Sequence, residues 1–204
     1  MYRVVLADDN PTLRQNLRMM LAGRDNLAVD GEAENGLELL HLLTKVPLPD
    51  IAIVDLRMPR LGGIDAIRAI RKVNSDIMLL ILTMHRDEGF LCEAFMAGAD
   101  GYLLKEDMAR ELLPALDALI AGYCYVSRGF AREAPDTWLN VFVARKAAAS
   151  SQVLSSDDMD FLGFLGRGES SADIAQRMSI SERAVTSHRA QIIQKLALKG
   201  DRRS

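Results

Sequence analysis

The 204 residues carry 25 Lys/Arg against 28 Asp/Glu and are 49 % hydrophobic, which excludes a disordered or strongly charged chain and suits a globular protein of two domains. No apolar run approaches the ~20 residues of a membrane span, and Met1-Tyr2-Arg3 leads straight into a strand, so neither a transmembrane segment nor a signal peptide is expected. Charge is unevenly placed: residues 1–122 hold 13 Lys/Arg against 19 Asp/Glu, whereas residues from Gln176 onward hold 7 against 2, a basic tail compatible with a polyanionic partner. Cys92 and Cys124 have no metal-like spacing and read as ordinary reduced thiols of a cytoplasmic protein.

Tyr2 to Ala7 is a short strand ending in Asp8-Asp9. Asn10 as N-cap and Pro11 at the first helical position open a helix whose Leu13, Leu17, Met20 and Leu21 share a face. A second strand spans Leu27 to Ala33, and a helix from Gly36 to Val46 is closed by Pro47 and Pro49. Ile51 to Val54 is a fully apolar strand that ends abruptly in Asp55, with Pro59 and Gly62-Gly63 in the following loop. Ile64, Ile67 and Ile70 mark the next helix. Ile77 to Leu82 is a fourth strand ending in Thr83, and Glu88 to Met96 a helix stopped by Gly98. Gly101 to Leu104 is a fifth strand ending in Lys105. Asp107 to Ala121 is a fifth helix, with Gly122 past its end.

Five strands alternating with five helices predict a doubly wound α/β domain, a parallel five-stranded sheet with right-handed crossovers. In such a sheet the carboxyl ends of the strands converge on one crevice. Asp8, Asp9, Asp55, Thr83 and Lys105 all fall there. Taken singly, an acid at a strand end is solvated and idle, a threonine is a β-branched strand residue, and a lysine snorkels. Taken together they form a constellation. Carboxylates brought close repel one another, and a magnesium ion relieves that cost while leaving room for a phosphate oxygen. Asp55 is then placed to act as a carboxylate nucleophile toward phosphorus, with Lys105 neutralising the phosphoryl oxygens. A magnesium-dependent phosphatase of the haloacid-dehalogenase type also uses such an Asp, but requires a second acid two residues later, where Arg57 stands.

Asp8-Asp9, Asp55 with Met58-Pro59 and Gly62-Gly63, Thr83, and Tyr102-Leu103-Leu104-Lys105 resemble the receiver domain of bacterial two-component response regulators over about residues 2–122. The resemblance implies a flavodoxin-like fold, phosphorylation of Asp55 by a sensor histidine kinase, and magnesium bound by Asp9 and Asp55, with Asp8 acting through water and the main-chain carbonyl of Arg57 as a further ligand. It also implies that Lys105 pairs with the phosphoryl group, that Thr83 hydrogen-bonds it, and that Tyr102 swings inward as a switch. Two positions depart from the pattern. Glu106 stands where many receivers have proline, and Met84, bulkier than the usual small residue, is expected to restrict access to Asp55.

Residues 123–152 break the alternation and read as a linker, with a helix expected over Thr137 to Ala149 and Trp138, Val141 and Phe142 on one side. Residues 153–204 show short helical patterns only. Ser170 to Asp173 has the form of a capping box and opens a helix through Met178; Ser179-Ile180-Ser181 make a turn; Ser181 caps a second helix from Glu182 to about Leu196. Two helices joined by so short a turn follow the helix-turn-helix plan, whose second helix enters the major groove. Val185, Ile192, Ile193 and Leu196 can face inward. Arg183, Arg189 and Lys195 can reach phosphates, and Thr186, Ser187, Ala190 and Gln194 line the stripe available to base edges.

Leu154 to Leu196 resembles the LuxR-type helix-turn-helix that follows receivers of the NarL class, through Asp158, Asp160, Gly168, Ser170, Asp173, Ile174-Ala175, Ile180-Ser181-Glu182, Val185, His188 and Lys195-Leu196. Thr186 stands where a lysine is frequent. Such modules continue into a fourth helix for packing and dimerisation, which this chain is expected to lack, since it ends at Arg202-Arg203-Ser204. The resemblance implies a transcriptional regulator that binds double-stranded DNA as a phosphorylation-dependent homodimer, and that catalyses only its own phosphoryl transfer and dephosphorylation. The alternative is a regulator working by phosphorylation-dependent protein contacts, with a tail that binds DNA poorly.

Overall fold

The structure, a computed structural model, describes residues 1–44, 47–74, 76–133, 155, 157, 160, 161, 164 and 169–197, with the side chains of 131–133, 189, 190 and 192–197 excepted. The chain divides into two compact units, Met1–Ala131 and Arg132–Ser204.

The first unit alternates β1 (Tyr2–Ala7), α1 (Pro11–Leu21), β2 (Leu27–Ala33), α2 (Gly36–Leu42), β3 (Ile51–Asp55), α3 (Gly63–Val73), β4 (Met78–Thr83), α4 (Glu88–Ala97), β5 (Gly101–Leu104), α5 (Met108–Ile120), β6 (Tyr125–Val126) and α6 (Arg128–Glu133). All neighbouring strands are parallel, in the order β2-β1-β3-β4-β5-β6. Successive strand residues point to opposite faces, and both faces are covered. On one, Val4, Leu6, Ile51, Ile53, Leu80, Leu82 and Leu103 pack with Leu17 and Leu21 of α1 and Leu112, Leu116 and Leu119 of α5. The alternate residues Val5, Ala52, Val54, Leu79 and Ile81 are equally buried, which explains why β3 and β4 read as unbroken apolar runs.

The chain leaves β1 for β2 on one side and returns to β3 on the other. The order therefore reverses between β1 and β3, and a crevice opens at their carboxyl ends. Asp8 and Asp55 are delivered to that point.

Three boundaries differ from expectation. Helix α2 stops at Leu42 rather than Val46, because both the N–H and the hydroxyl of Thr44 donate to the His41 carbonyl, at 3.1 and 2.8 Å. Lys105–Asp107 forms a 3₁₀ turn before α5. The sheet also has a sixth strand where the linker was expected to begin. Tyr125 N–H donates to Asp100 O at 3.1 Å and Ser127 N–H to Tyr102 O at 2.9 Å, so residues after Gly122 satisfy the open edge of β5. A two-residue strand leaves no periodicity for sequence reasoning to detect, and the left-handed Gly122 (φ 82°) looks like the end of a domain.

In the second unit, α7 (Ser171–Arg177) begins with the expected capping box. The Ser170 hydroxyl accepts from Asp173 N–H at 3.2 Å, and the Asp173 carboxylate accepts from Ser170 N–H at 3.3 Å. Ser179 takes a left-handed φ of 55° in the turn. The Ser181 hydroxyl then accepts from Ala184 N–H at 3.1 Å and opens α8 (Glu182–Ala197). The expected linker helix over 137–149 and the chain end at 202–204 lie outside the described residues.

Candidate functional site

Asp8 follows the last residue of β1. Its N–H donates to Ala33 O at 3.1 Å, and its Oδ1 accepts the Asn10 N–H at 2.8 Å. Asn10 in turn caps α1 by accepting from the N–H groups of Thr12 and Leu13. Asp55 ends β3, in register with Leu82 of β4. Carboxylate oxygens of Asp8, Asp9 and Asp55 lie within 4.8 Å of one another. Asp8 and Asp55 are buried, and Asp9 is exposed.

Lys105, just beyond β5, reaches across to this cluster. Its Nζ lies 2.8 Å from Asp8 Oδ2 and 3.1 Å from Asp55 Oδ1. Asp8 Oδ2 makes no aligned hydrogen bond and is held by the ammonium as an ion pair. Burial pushes the Asp55 carboxyl above the ordinary carboxylate range, the Asp8 charge adds to this, and Lys105 together with the Arg57 N–H pulls the other way. For Lys105, burial alone would lower the pKa, but the close contact with Asp8 and the charge of Asp55 prevail and raise it. Three carboxylates against one ammonium leave an excess of negative charge in a hard-oxygen donor set. That set fits magnesium.

The loop from β3 to α3 folds back tightly on Asp55. Gly63 N–H donates to Leu56 O at 3.0 Å, and a Cβ on Gly63 would lie 2.2 Å from the main-chain oxygen of Asp55. Gly36 is equally constrained, with Leu61 O at 2.6 Å from where its Cβ would be. Arg57 sits in this loop two residues after Asp55, its side chain exposed and its Nη1 3.4 Å from His85 Nε2.

Thr83, at the end of β4 beside Asp55, is buried and its hydroxyl accepts the His85 N–H at 3.1 Å. Tyr102 is fully buried. Its hydroxyl donates to His85 O at 3.0 Å, and its ring meets Phe130 of α6 edge-on at 6.0 Å. Burial drives its phenol far above the ordinary tyrosine value. Tyr102 thus already occupies an inward position here, where an inward swing had been expected. Met84 is 71 % exposed, so most of its surface faces water rather than Asp55. Glu106, at the proline-like position, accepts from Arg86 Nε at 2.7 Å and ties the β5–α5 turn to the β4–α4 loop.

Sequence reasoning passed over Arg14, Ser127 and Phe130. Arg14 is 8 % exposed, and Phe130 and Ser127 are buried. The Arg14 guanidinium meets Glu32 and Glu34 at the exit of β2, a pairing that only the fold creates.

In the second unit, Val185 is buried as expected, and Arg183, Thr186 and Ser187 are exposed. Thr186 Oγ donates to Glu182 O at 3.2 Å. Arg183, Ser187, His188 and Gln191 line a surface hollow together with Ile180, Ser181 and Ala184. The His188 ring packs at 4.6 Å from that of Phe161. Arg189, Ala190, Gln194 and Lys195 lie on α8, but their side chains are outside the described ones.

The sequence profile of the response regulator receiver domain matches residues 4–117, and that of the bacterial regulatory proteins of the luxR family matches residues 152–203. A putative transcriptional regulator of Pseudomonas aeruginosa is 32 % identical over 196 residues, covering 96 % of this chain and 91 % of its own length. A two-component response regulator of the LuxR family from Aurantimonas sp. SI85-9A1 is 36 % identical, with a TM-score of 0.64, over 68 % of this chain and 99 % of that one. RcsB of Salmonella enterica serovar Typhimurium, solved bound to a promoter in the presence of the phosphomimetic BeF3-, is 25 % identical with a TM-score of 0.60, over 96 % of this chain and 91 % of that one.

Proposed function

Because the chain belongs to the two-component response regulators of the LuxR class, a receiver followed by a LuxR-type helix-turn-helix that regulates transcription, we propose that phosphorylation of Asp55 by a sensor histidine kinase controls its binding to DNA. The observation that carries this reading is Lys105 Nζ seated between Asp8 and Asp55 at the carboxyl ends of β1 and β3.

An Asp55 carboxylate oxygen attacks the phosphorus of a phosphohistidine. The new P–O bond forms as the P–N bond breaks, and the ring, protonated on its other nitrogen, leaves with the bonding pair as neutral imidazole. Lys105 is placed to follow the charge from the carboxylate to the phosphoryl oxygens, and the Arg57 N–H orients the nucleophile. Magnesium, held by Asp9 and Asp55 directly, by Asp8 through water and by the Arg57 carbonyl, would supply the remaining neutralisation of phosphoryl charge. Dephosphorylation returns the resting state: water attacks phosphorus, the bond from phosphorus to the Asp55 oxygen breaks and inorganic phosphate leaves, and no reaction on an external small substrate is assigned.

Thr83 offers its hydroxyl to the phosphoryl group once it releases the His85 N–H. Tyr102 is tied to His85 O and therefore senses the same loop. That loop and β5 form the bistable element. Its output is α8, where Arg183, Arg189 and Lys195 contact phosphates and Thr186, Ser187, Ala190 and Gln194 approach bases, in a homodimer on double-stranded DNA. Among the described residues no helix is long and apolar enough to cross a membrane, and the setting we assign is the cytoplasm.

The test is intact mass spectrometry after incubation with acetyl phosphate and magnesium. The wild-type chain should gain one phosphoryl group and Asp55→Asn none. Equal labelling of the two would refute Asp55 as the acceptor.

A further inference from the structure

Asp8 and Asp9 do not set their own directions. Asp8 is held at its N–H by Ala33 O and at its Oδ1 by Asn10 N–H, and its carbonyl accepts from Arg14 Nη1 at 2.7 Å, a buried, charge-assisted bond. The rest of the Arg14 fork is spent on the exit of β2. Nε donates to Glu32 Oε2 and Nη2 to Glu34 Oε1, both at 3.1 Å. Arg18 shares Glu32 through its Nε at 3.0 Å, so the carboxylate that orients Arg14 is itself fixed. A guanidinium pinned on three sides has little freedom to turn.

Asp9 is the opposite case. It is exposed, and its carboxylate makes no hydrogen bond or ion pair with the described residues. The Asp8 carbonyl and the Asp9 N–H share one rigid peptide plane. Turning that carbonyl away from Arg14 rotates the backbone on which the Asp9 carboxylate is carried, and shifts it relative to Asp8 and Asp55.

We propose that Arg14 is a positioning residue for the cation site, acting through the Asp8 carbonyl to aim the Asp8 and Asp9 carboxylates at a common point. The proposal rests on the reading of Asp8, Asp9 and Asp55 as a magnesium site. The competing role is that of a staple between α1 and β2, which would hold the fold together without aiming any ligand. The two differ in what they predict for binding at constant stability, because groups that orient metal ligands typically change affinity by about 10–100-fold when removed.

The whole chain is titrated with magnesium chloride by calorimetry as wild type, Arg14→Lys and Arg14→Met. Thermal stability and amide exchange at Asn10 are measured before any cation is added. Arg14→Lys keeps the charge and loses the fork, so it serves if Arg14→Met does not fold. The proposal expects the magnesium Kd to rise roughly 10-fold or more in Arg14→Lys, with the Asn10 amide, donor to Asp8 Oδ1, exchanging faster in the cation-free protein while β3 and β4 amides keep their protection. Variants that are less stable yet bind magnesium as tightly as the wild type, with Asn10 equally protected, would overturn the inference alone. A wild-type chain that takes up no magnesium would overturn the metal reading and the inference with it.

Discussion

Gly63 sits where α3 begins against the backbone of Asp55, and a methyl group there would lie 2.2 Å from the Asp55 carbonyl oxygen. No rotamer relieves a clash with main chain, so Gly63→Ala must push the start of α3 away from β3. It should cost about 1–3 kcal/mol in urea denaturation and lower phosphoryl uptake with it; an unchanged midpoint would show that the loop yields. Asp55 carries a different stress. Its folded-state pKa is raised, chiefly by burial, so the unfolded chain surrenders this proton more readily than the native one. Stability is therefore lost as pH rises from the ordinary carboxylate range through the raised value, and stays lost above it. Asp55→Asn, measured with chelator present, should be more stable than wild type at neutral pH, and the difference should shrink on acidification. Lys105, also raised, has the same sign in a more alkaline window. Its contribution is present below the ordinary lysine value and fades as pH rises through its raised one. Asp8, Asp55, Thr83 and Lys105 were legible because each polar residue ends an apolar strand. Arg14 was not, because an arginine among polar helix residues reads as solvated until β2 brings two carboxylates to it.

Among the elements, β6 changes the picture of how the first unit ends. The Ser127 hydroxyl accepts the buried Leu104 N–H at 2.8 Å, one residue before Lys105, and Tyr125 OH donates to Glu111 Oε2 at 2.9 Å on α5. Residues after Gly122 are therefore stitched to the strand that carries Tyr102 and leads into Lys105. Ser127→Ala leaves the Leu104 N–H without a partner and should cost about 1–3 kcal/mol, with faster exchange of that amide; full protection of Leu104 would show that another acceptor takes over. The helix starts were easier to foresee. Asn10, Ser170 and Ser181 each accept backbone N–H groups within the first turn, and capping is local chemistry that a tetrapeptide already specifies. The end of α2 was misjudged because Thr44 competes for the His41 carbonyl, a choice the distant prolines do not reveal.

At the scale of the whole molecule, a chain of net charge −3 carries a local excess of positive charge from Gln176 onward, 7 Lys/Arg against 2 Asp/Glu. If α8 presents that charge to phosphates, affinity for duplex DNA should fall by roughly three orders of magnitude or more between about 50 and about 200 mM salt. It should be higher with beryllium fluoride and magnesium present than without. Negligible binding that ignores both salt and the phosphoryl mimic would reject the DNA-binding reading and leave regulation by protein contacts, with the receiver intact. The measurement also bears on Thr186, whose hydroxyl is turned to the Glu182 carbonyl in the free protein and must turn outward to meet a base.

The amino-acid sequence by itself determined the alternation of strands and helices, the parallel sheet, the residues at the strand ends and the helix-turn-helix punctuation. These follow from periodicity and capping, which act over a few neighbouring residues. The tertiary structure alone decided that Lys105 lies between Asp8 and Asp55, that Tyr102 is inward against His85 and Phe130, that Arg14 grips the Asp8 carbonyl, and that β6 closes the edge of β5. Each of these joins residues far apart in the chain, and only the order in which strands pair brings them within hydrogen-bonding distance.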